Sequence, residues 1–483
     1  MRPLWTYAAL QEAMGARPVG AEPQLVSGIS IDSRTAEPGE AFFAIQGDRF
    51  DGHDFVTMAL ARGAATAVVS EDKLAALGRI TGSLTVVRDV LEGLCALGMA
   101  ARIRSTAKIA AVTGSVGKTS TKEMLATALS ASGATHYSPA SFNNHWGVPL
   151  TLARMPQDSA YGVFEIGMNH AGEIEPLTKM VRPHVAIVTT VEPVHLEYFD
   201  SVEDIARAKA EIFFGLEPGG AAILNRDNPH FALLAAHARD AGAAHVVGFG
   251  EDAKCDVRLT EVVLDDRASH VRAHLFGRDV AYTLGAPGRH LVQNSLAVLA
   301  AVSLLGGDVA RATEAFAQVS AGKGRGQQTI IDVPGGHATL IDESYNANPA
   351  SMRAAIALLA RTAPEGSGRR IAVLGDMREL GSEAPAMHAA LAEELVAADL
   401  DGVYAVGPLM AALADALPAN LLAARGEKAA DIEDQLAESL APGDVIMVKG
   451  SNASRMGPLV ENIKARFAPA MAAAQPKQEQ EKA

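Results

Sequence analysis

Cysteine is nearly absent: the chain has two in 483 residues, Cys95 and Cys255. Two thiols so far apart cannot frame a disulfide scaffold or a four-cysteine zinc site, and a reducing cytoplasm is the simplest compartment. Long apolar runs are missing too. No stretch of the sequence reaches the roughly 18 apolar residues that a membrane-spanning helix needs, so no membrane insertion is expected. The opening MRPLWTYAALQEAMGARPVG has one early Arg, but Gln11 and Glu12 interrupt its apolar residues, and a signal peptide is not expected. Positive charge is in deficit. Lys+Arg number 42 against 56 Asp+Glu, a net charge of −14, which argues against non-specific binding to nucleic acid or an anionic membrane. No repeat of fixed period is visible. The remaining composition, 48% hydrophobic and 20% charged, is that of a folded globular protein. At roughly 100–200 residues per domain, 483 residues make about three domains.

The pattern along the chain divides it accordingly. Residues 1–85 read as a small mixed α/β unit. GISIDSRTAEPGEAFFAIQG suggests two short strands around a Pro38-Gly39 turn, and GHDFVTMALARGAATAVVS a helix followed by a strand. Residues 86–319 alternate buried-type strands (KIAAVT, YGVFEIG, VAIVTTV, AAILNRD) with helices, the last being VQNSLAVLAAVSLLG. Residues 320–470 show four further strand-like runs, ATLIDES, IAVLGDM, GVYAVG and DVIMVKG, separated by helical segments. The expected class is α/β with three domains: a small mixed N-terminal domain, a central P-loop-type, mostly parallel sheet with helices on both faces, and a C-terminal Rossmann-like domain. Residues 471–483 lack a core-forming pattern and read as a loose tail.

The most informative stretch is Gly114-Ser115-Val116-Gly117-Lys118-Thr119-Ser120, between strand KIAAVT and helix KEMLATALSA. The strict G-x-x-x-x-G-K-[ST] spacing fails, because Val112 stands where the first glycine belongs. The working parts remain. Glycines let backbone N–H groups converge on phosphate, the helix presents its positive end, Lys118 can reach the β/γ-phosphates, and the Thr119 hydroxyl can hold Mg²⁺. A tight turn beside a surface lysine is the weaker reading. A nucleotide site also needs a metal-holding carboxylate. Glu165 ends strand YGVFEIG at the edge where open α/β sheets place their sites; beside a phosphate loop this outweighs an ordinary strand-end acid. His195 follows the next strand beyond the same edge, where an imidazole is either structural or a metal ligand.

Lys209 is the odd residue on its helix. Ile205, Ala208, Ile212 and Phe213 form one apolar stripe at 100° per residue, and Lys209 projects into its middle. A desolvated lysine has a depressed pKa and a larger neutral fraction, and a neutral amine can take up CO₂ as a carbamate, turning a cation into a metal-binding anion. A stem that packs while its head snorkels to water is the commoner fate, and helix geometry alone favours it. Asn294 stands near the start of the long helix, to meet a base edge or to cap. Arg325, at the boundary of the second and third units, is suited to reach a phosphate across a cleft.

Together these residues resemble the Mur ligase family over about residues 25–460. The family's TG[ST]xGKT loop stands here as TGSVGKTS, and SFNNHWGVPLTL, FEIGMNHAGEI, EPVHLEYFDSVEDIARAKAEIF, NANPASM, LGDMRELG and KGSNASRM are similar to segments of the branch that adds D-Ala-D-Ala. The resemblance implies an ADP-forming ligase of peptidoglycan synthesis, joining D-Ala-D-Ala to UDP-MurNAc-tripeptide through an acyl phosphate. It implies ATP phosphates on Gly114 to Ser120, two Mg²⁺ ions on Thr119, Glu165, His195 and a carbamylated Lys209, and catalytic roles for Lys118, His195 and Lys209. Asn294 would meet adenine, Arg325 a phosphate and Glu343 the ribose. Ser33, Asn143 and Asn144 would meet the UDP-sugar, in keeping with the similarity of Asp32-Ser33-Arg34 and GDRFDGHDF to the family's uridine-binding domain. A cytoplasmic monomer is expected. Two departures stand out: His290 is followed by Leu291 where the family reads HN, and the ribose acid, usually Asp, is Glu343 with Asp342 beside it. The alternatives are the sibling ligase that adds a diamino acid, whose DNPR signature is absent, and a nucleotide switch, against which the missing NKxD speaks.

Overall fold

The structure, a computed structural model, describes residues 3–468 other than Asp48, His195 and Asp266, so the expected tail at 471–483 lies outside the described residues. Within them, three large sheets organise the chain, beside a two-stranded pair of Trp5–Thr6 and Leu25–Val26. The first has five strands in the order Arg17–Gly20, Ser83–Val87, Thr66–Ser70, Glu40–Phe43, Gly28–Ser30. The two strands flanking the Pro38-Gly39 turn run parallel. The boundary expected after residue 85 falls inside strand Ser83–Val87, which pairs in this sheet along its length.

The central sheet has nine strands: Arg278–Leu284, Ser269–Leu275, Val257–Leu264, His245–Gly250, Ala221–Asn225, Val185–Val188, Lys108–Thr113, Tyr161–Glu165 and Thr135–Tyr137. It is parallel except at the end formed by Val257–Leu264, Ser269–Leu275 and Arg278–Leu284, which pair antiparallel. Strand Lys108–Thr113 shows why its sequence is almost wholly apolar. Ala110 and Val112 enter one core, against helices Lys118–Ser130 and Arg289–Leu304. Ile109 and Ala111 enter another on the opposite face, with Ile205, Ile212 and Phe213. A strand buried on both faces has no polar side to alternate with.

The third sheet orders Gln327–Val333, Gly336–Glu343, Val445–Lys449, Arg370–Gly375, Gly402–Val406, Leu422–Gly426. The four runs read from the sequence are its four middle strands. An antiparallel strand, Gln327–Val333, and a parallel one, Leu422–Gly426, extend it at the two edges. No helix among the described residues is long and apolar enough to cross a membrane.

Candidate active site

The glycine-rich loop leaves strand Lys108–Thr113 and enters helix Lys118–Ser130. Gly114 has φ +150° and Gly117 φ +82°. A Cβ on Gly114 would stand 1.9 Å from Thr189 Oγ1, and one on Gly117 would stand 2.6 Å from Asn294 Nδ2. Both positions therefore require glycine, on steric and backbone grounds together. The end of the neighbouring strand fixes the loop from the side: Thr189 Oγ1 donates to Val116 O at 2.6 Å, Ser115 N to Thr190 O at 2.9 Å and Ser115 Oγ to Glu192 O at 3.1 Å. Ser120 Oγ donates back to Gly117 O at 3.1 Å. No side chain caps the helix at Gly117, which leaves its first-turn N–H groups to an anion.

Lys118 Nζ donates to Gly114 O at 2.7 Å. Burial lowers its pKa, the charge of Glu165 opposes that shift, and the charge of Arg325 adds to it. Glu165 is 3% exposed at the end of strand Tyr161–Glu165. Its Oε1 accepts from Asn143 Nδ2 at 2.7 Å, whereas Oε2 is buried with no hydrogen-bond partner among the described residues. A carboxylate oxygen buried without a donor is costly, and a cation satisfies it. Thr119 Oγ1 lies 3.1 Å from Ser141 Oγ and accepts from Arg325 Nη2 at 3.0 Å. Among the described residues no group of three His, Cys, Asp or Glu side chains is placed to hold a metal. A metal here would draw on the orphaned Glu165 oxygen, with the Thr119 hydroxyl close by at the start of the helix. His195 lies outside the described residues.

Lys209 is 1% exposed on helix Val202–Ala210, which Ser201 caps through Asp204 N. Its head does not reach water. Burial, and secondarily the charge of Lys118, hold its pKa well below the ordinary 10.5. The snorkelling alternative is thereby set aside, and Lys118 is close enough for its charge to bear on Lys209.

The third unit completes the cluster. Arg325 crosses from it to Thr119, with its guanidinium 4.1 Å over the Tyr345 ring. Of the two adjacent acids, Asp342 is 1% exposed and accepts from Gly324 N, Ser344 N and Ser344 Oγ. Glu343 faces Lys449 at 3.2 Å. Asn294 is buried well inside helix Arg289–Leu304 against Gly117, so it is not a cap. A cavity of about 560 Å³ opens along the same seam, lined by Gly288, His290 and Gln293 from the central unit and Arg353, Leu358 and Arg361 from the third. The LGDMRELG loop meets the central unit where Glu197 N donates to Glu379 O at 3.3 Å.

Not every expected residue joins this cluster. Ser33 is buried in the turn after strand Gly28–Ser30, in a different sheet. Asn144 Oδ1 accepts from Gly147 N at 2.9 Å, at the start of helix Gly147–Ala153. Asn143 is bonded to Glu165. Ser141 and Lys122 also belong to the site's surroundings. Sequence reasoning missed both: Ser141 opens the quoted segment SFNNHWGVPLTL, from which only Asn143 and Asn144 were assigned a role, and for Lys122 the available signal was a lysine one helical turn beyond Lys118.

Profiles of the Mur ligase family match the chain as its catalytic domain over residues 25–92, its middle domain over 112–302 and its glutamate ligase domain over 325–452. The UDP-N-acetylmuramoyl-tripeptide–D-alanyl-D-alanine ligase of Escherichia coli (strain K12) is 34% identical over 462 residues, which cover 94% of this chain and 97% of the relative. Its counterpart in Rickettsia prowazekii (strain Madrid E) is 30% identical over 438 residues, covering 90% and 94%. A crystal structure of MurF from Acinetobacter baumannii is similar with a TM-score of 0.82 at 32% identity, covering 96% of this chain and 99% of that one. A MurF ligase from Thermotoga maritima in complex with ADP is similar at 0.75 and 26%, covering 91% and 97%. The likeness runs through all three sheets and the loop between them, and the chain belongs to the Mur ligase family.

Proposed function

We propose that the chain is an ATP-dependent amide-forming ligase that joins D-Ala-D-Ala to UDP-MurNAc-tripeptide in the cytoplasm, yielding UDP-MurNAc-pentapeptide, ADP and phosphate. One observation carries this reading. Lys118, Thr119 and Glu165 from the central unit and Arg325 from the third converge at one sheet edge, with Lys209 buried beside Lys118. A carboxylate is a poor acyl donor, and phosphorylation gives it a leaving group. The terminal carboxylate oxygen of the tripeptide attacks the γ-phosphorus as the bond to the ADP oxygen breaks. The amine of D-Ala-D-Ala then attacks the acyl phosphate carbonyl, loses a proton, and phosphate departs.

The chain's part is mainly positioning and electrostatics. Loop N–H groups and Lys118 hold the phosphates, Arg325 reaches the same charge from the third unit, and Asn294 and Glu343 take the base and ribose. The orphaned Glu165 Oε2 fits Mg²⁺. Thr119, Glu165, His195 and the carbamate of Lys209 would hold it, and when bound it neutralises charge on the transferred phosphoryl group. The neutral Lys209 amine adds to CO₂ through its lone pair and sheds a proton, leaving the anionic carbamate. The first unit, with Ser33, would take the nucleotide-sugar and the third the dipeptide, their approach excluding the water that would hydrolyse the acyl phosphate. A monomer suffices, since all three units come from one chain.

ADP release measured with ATP and UDP-MurNAc-tripeptide is expected to depend strictly on D-Ala-D-Ala. Release with the dipeptide precursor and a diamino acid instead would move the chain to the sibling step, and release without any acceptor would make it a switch.

A further inference from the structure

Lys122 has no part in the mechanism above, yet it is fully buried on helix Lys118–Ser130, one turn beyond Lys118. Its Nζ donates to Ser138 O at 2.7 Å and to Ala140 O at 3.4 Å, and Glu123 Oε1 stands 3.7 Å away. Those two carbonyls open the segment 138–144, whose far end serves the site. Ser141 Oγ meets Thr119 Oγ1 at 3.1 Å, and Asn143 Nδ2 donates to Glu165 Oε1 at 2.7 Å. Asn143 O in turn accepts from Gly167 N at 2.8 Å, just past the strand that carries Glu165. The segment is thus held by a buried ammonium at its start, the loop hydroxyl at its middle, and the site carboxylate and the Gly167 amide at its end.

We infer that Lys122 is a positioning residue for the metal side of the nucleotide site, acting through segment 138–144. A buried ammonium with backbone acceptors is an expensive way to pin a loop, since an apolar side chain would pack the same space. What it fixes is orientation. The carbonyls of Ser138 and Ala140 are drawn to one point, so Ser141 and Asn143 present their side chains to Thr119 and Glu165 together. The inference rests on the ligase reading, in that Thr119 and Glu165 are taken as Mg²⁺ donors. It differs in its consequence: the phosphate loop itself, fixed by Thr189 and Thr190, stays in place without Lys122.

The test is calorimetric ADP binding by the full chain with Mg²⁺ and with chelator, together with hydrogen exchange of the amides in 138–144. Wild type is expected to bind ADP more tightly with Mg²⁺. In Lys122→Met, affinity in chelator is expected to stay within about twofold of wild type, the Mg²⁺-dependent gain to fall at least tenfold, and the 138–144 amides to exchange faster. Wild type without any Mg²⁺-dependent gain would sink the ligase reading and this proposal with it. An unchanged gain in the variant would overturn the proposal alone. So would an equal loss with and without Mg²⁺, which would put Lys122 in support of the phosphate loop, or a lost gain with unaltered exchange in 138–144. Should Lys122→Met fail to melt cooperatively, Lys122→Leu, which likewise lacks a donor, is read by the same criteria.

Discussion

Two helices of the central unit each bury a lysine, and they surround its charge differently. On Lys118–Ser130, Lys122 finds two backbone carbonyls, and Glu165 and Glu123 oppose the lowering that burial imposes on its pKa. On Val202–Ala210, Lys209 is set among Ile205, Ala208 and Ile212; the charge that bears on it is another cation, Lys118. Both side chains are almost wholly out of water, at 0% and 1% exposure, so burial alone does not separate them. The supply of acceptors does. Lys122, given two carbonyls and facing carboxylates, has the lowering opposed and serves as a structural cross-link. A lysine given hydrocarbon and a like charge favours the neutral amine, which is a nucleophile. The same residue type thus stands as a fixed donor on one helix and, in the proposed reading, as a modifiable group on the other.

Replacing Lys118, which heads the first helix and whose charge bears on Lys209, gives the largest effect. Lys118→Ala is expected to abolish ligation, a loss of roughly a thousandfold or more of the order seen when a charge-stabilising group is removed from a phosphoryl-transfer site, with an unaltered circular dichroism spectrum. Near-normal turnover would remove the centre of the comparison. Next comes Lys209→Ala. We expect turnover to drop about a hundredfold or more and to recover in part when a short carboxylic acid such as acetate is added, since a small anion can stand where the carbamate stood. Acetate should do nothing for Lys122→Met. If acetate rescues both variants or neither, the two lysines are not the contrasting pair described above.

The sequence made the strands buried on both faces legible, because KIAAVT and VAIVTTV have no polar side to confuse the reading. It also showed the loop, since glycines that cannot carry a Cβ are visible as glycines. The antiparallel end of the central sheet was not legible. Strands such as Val257–Leu264 and Ser269–Leu275 bury one face and carry charge on the other, and the hairpin from Ser269–Leu275 to Arg278–Leu284 turns at Phe276-Gly277 rather than at an Asn-Gly or Asp-Gly signal. The odd placement of Lys209 could be read from helical spacing, but whether it snorkels is settled only by what packs over the helix. Asn143 was read as a sugar contact, and its bond to Glu165 depends on a loop returning to a strand end 22 residues away, a closure that no local pattern encodes.

A third, partly buried base sharpens the contrast at its small end. His136, on edge strand Thr135–Tyr137, has a single carbonyl: its Nε2 donates to Thr151 O at 2.7 Å. Burial pushes its pKa from 6.5 down to about 4, the hydrogen bond opposing and the charge of Arg154 adding to the shift. One acceptor therefore falls between none and two, enough to orient the ring but not to keep it charged. The sign follows directly. Below pH 6.5 the unfolded chain takes up the proton while the folded chain does not, so stability is lost as the pH falls from 6.5 to about 4. For a ring not wholly out of water this amounts to something on the order of 2 kcal/mol. Urea unfolding of wild type and His136→Gln at pH 7.5 and 4.5 checks it. The variant is expected to lose less stability than wild type across that interval, with ligation at neutral pH almost unchanged. Equal losses in the two proteins would mean that the imidazole keeps its proton as readily folded as unfolded, and that one carbonyl suffices to hold a buried cation.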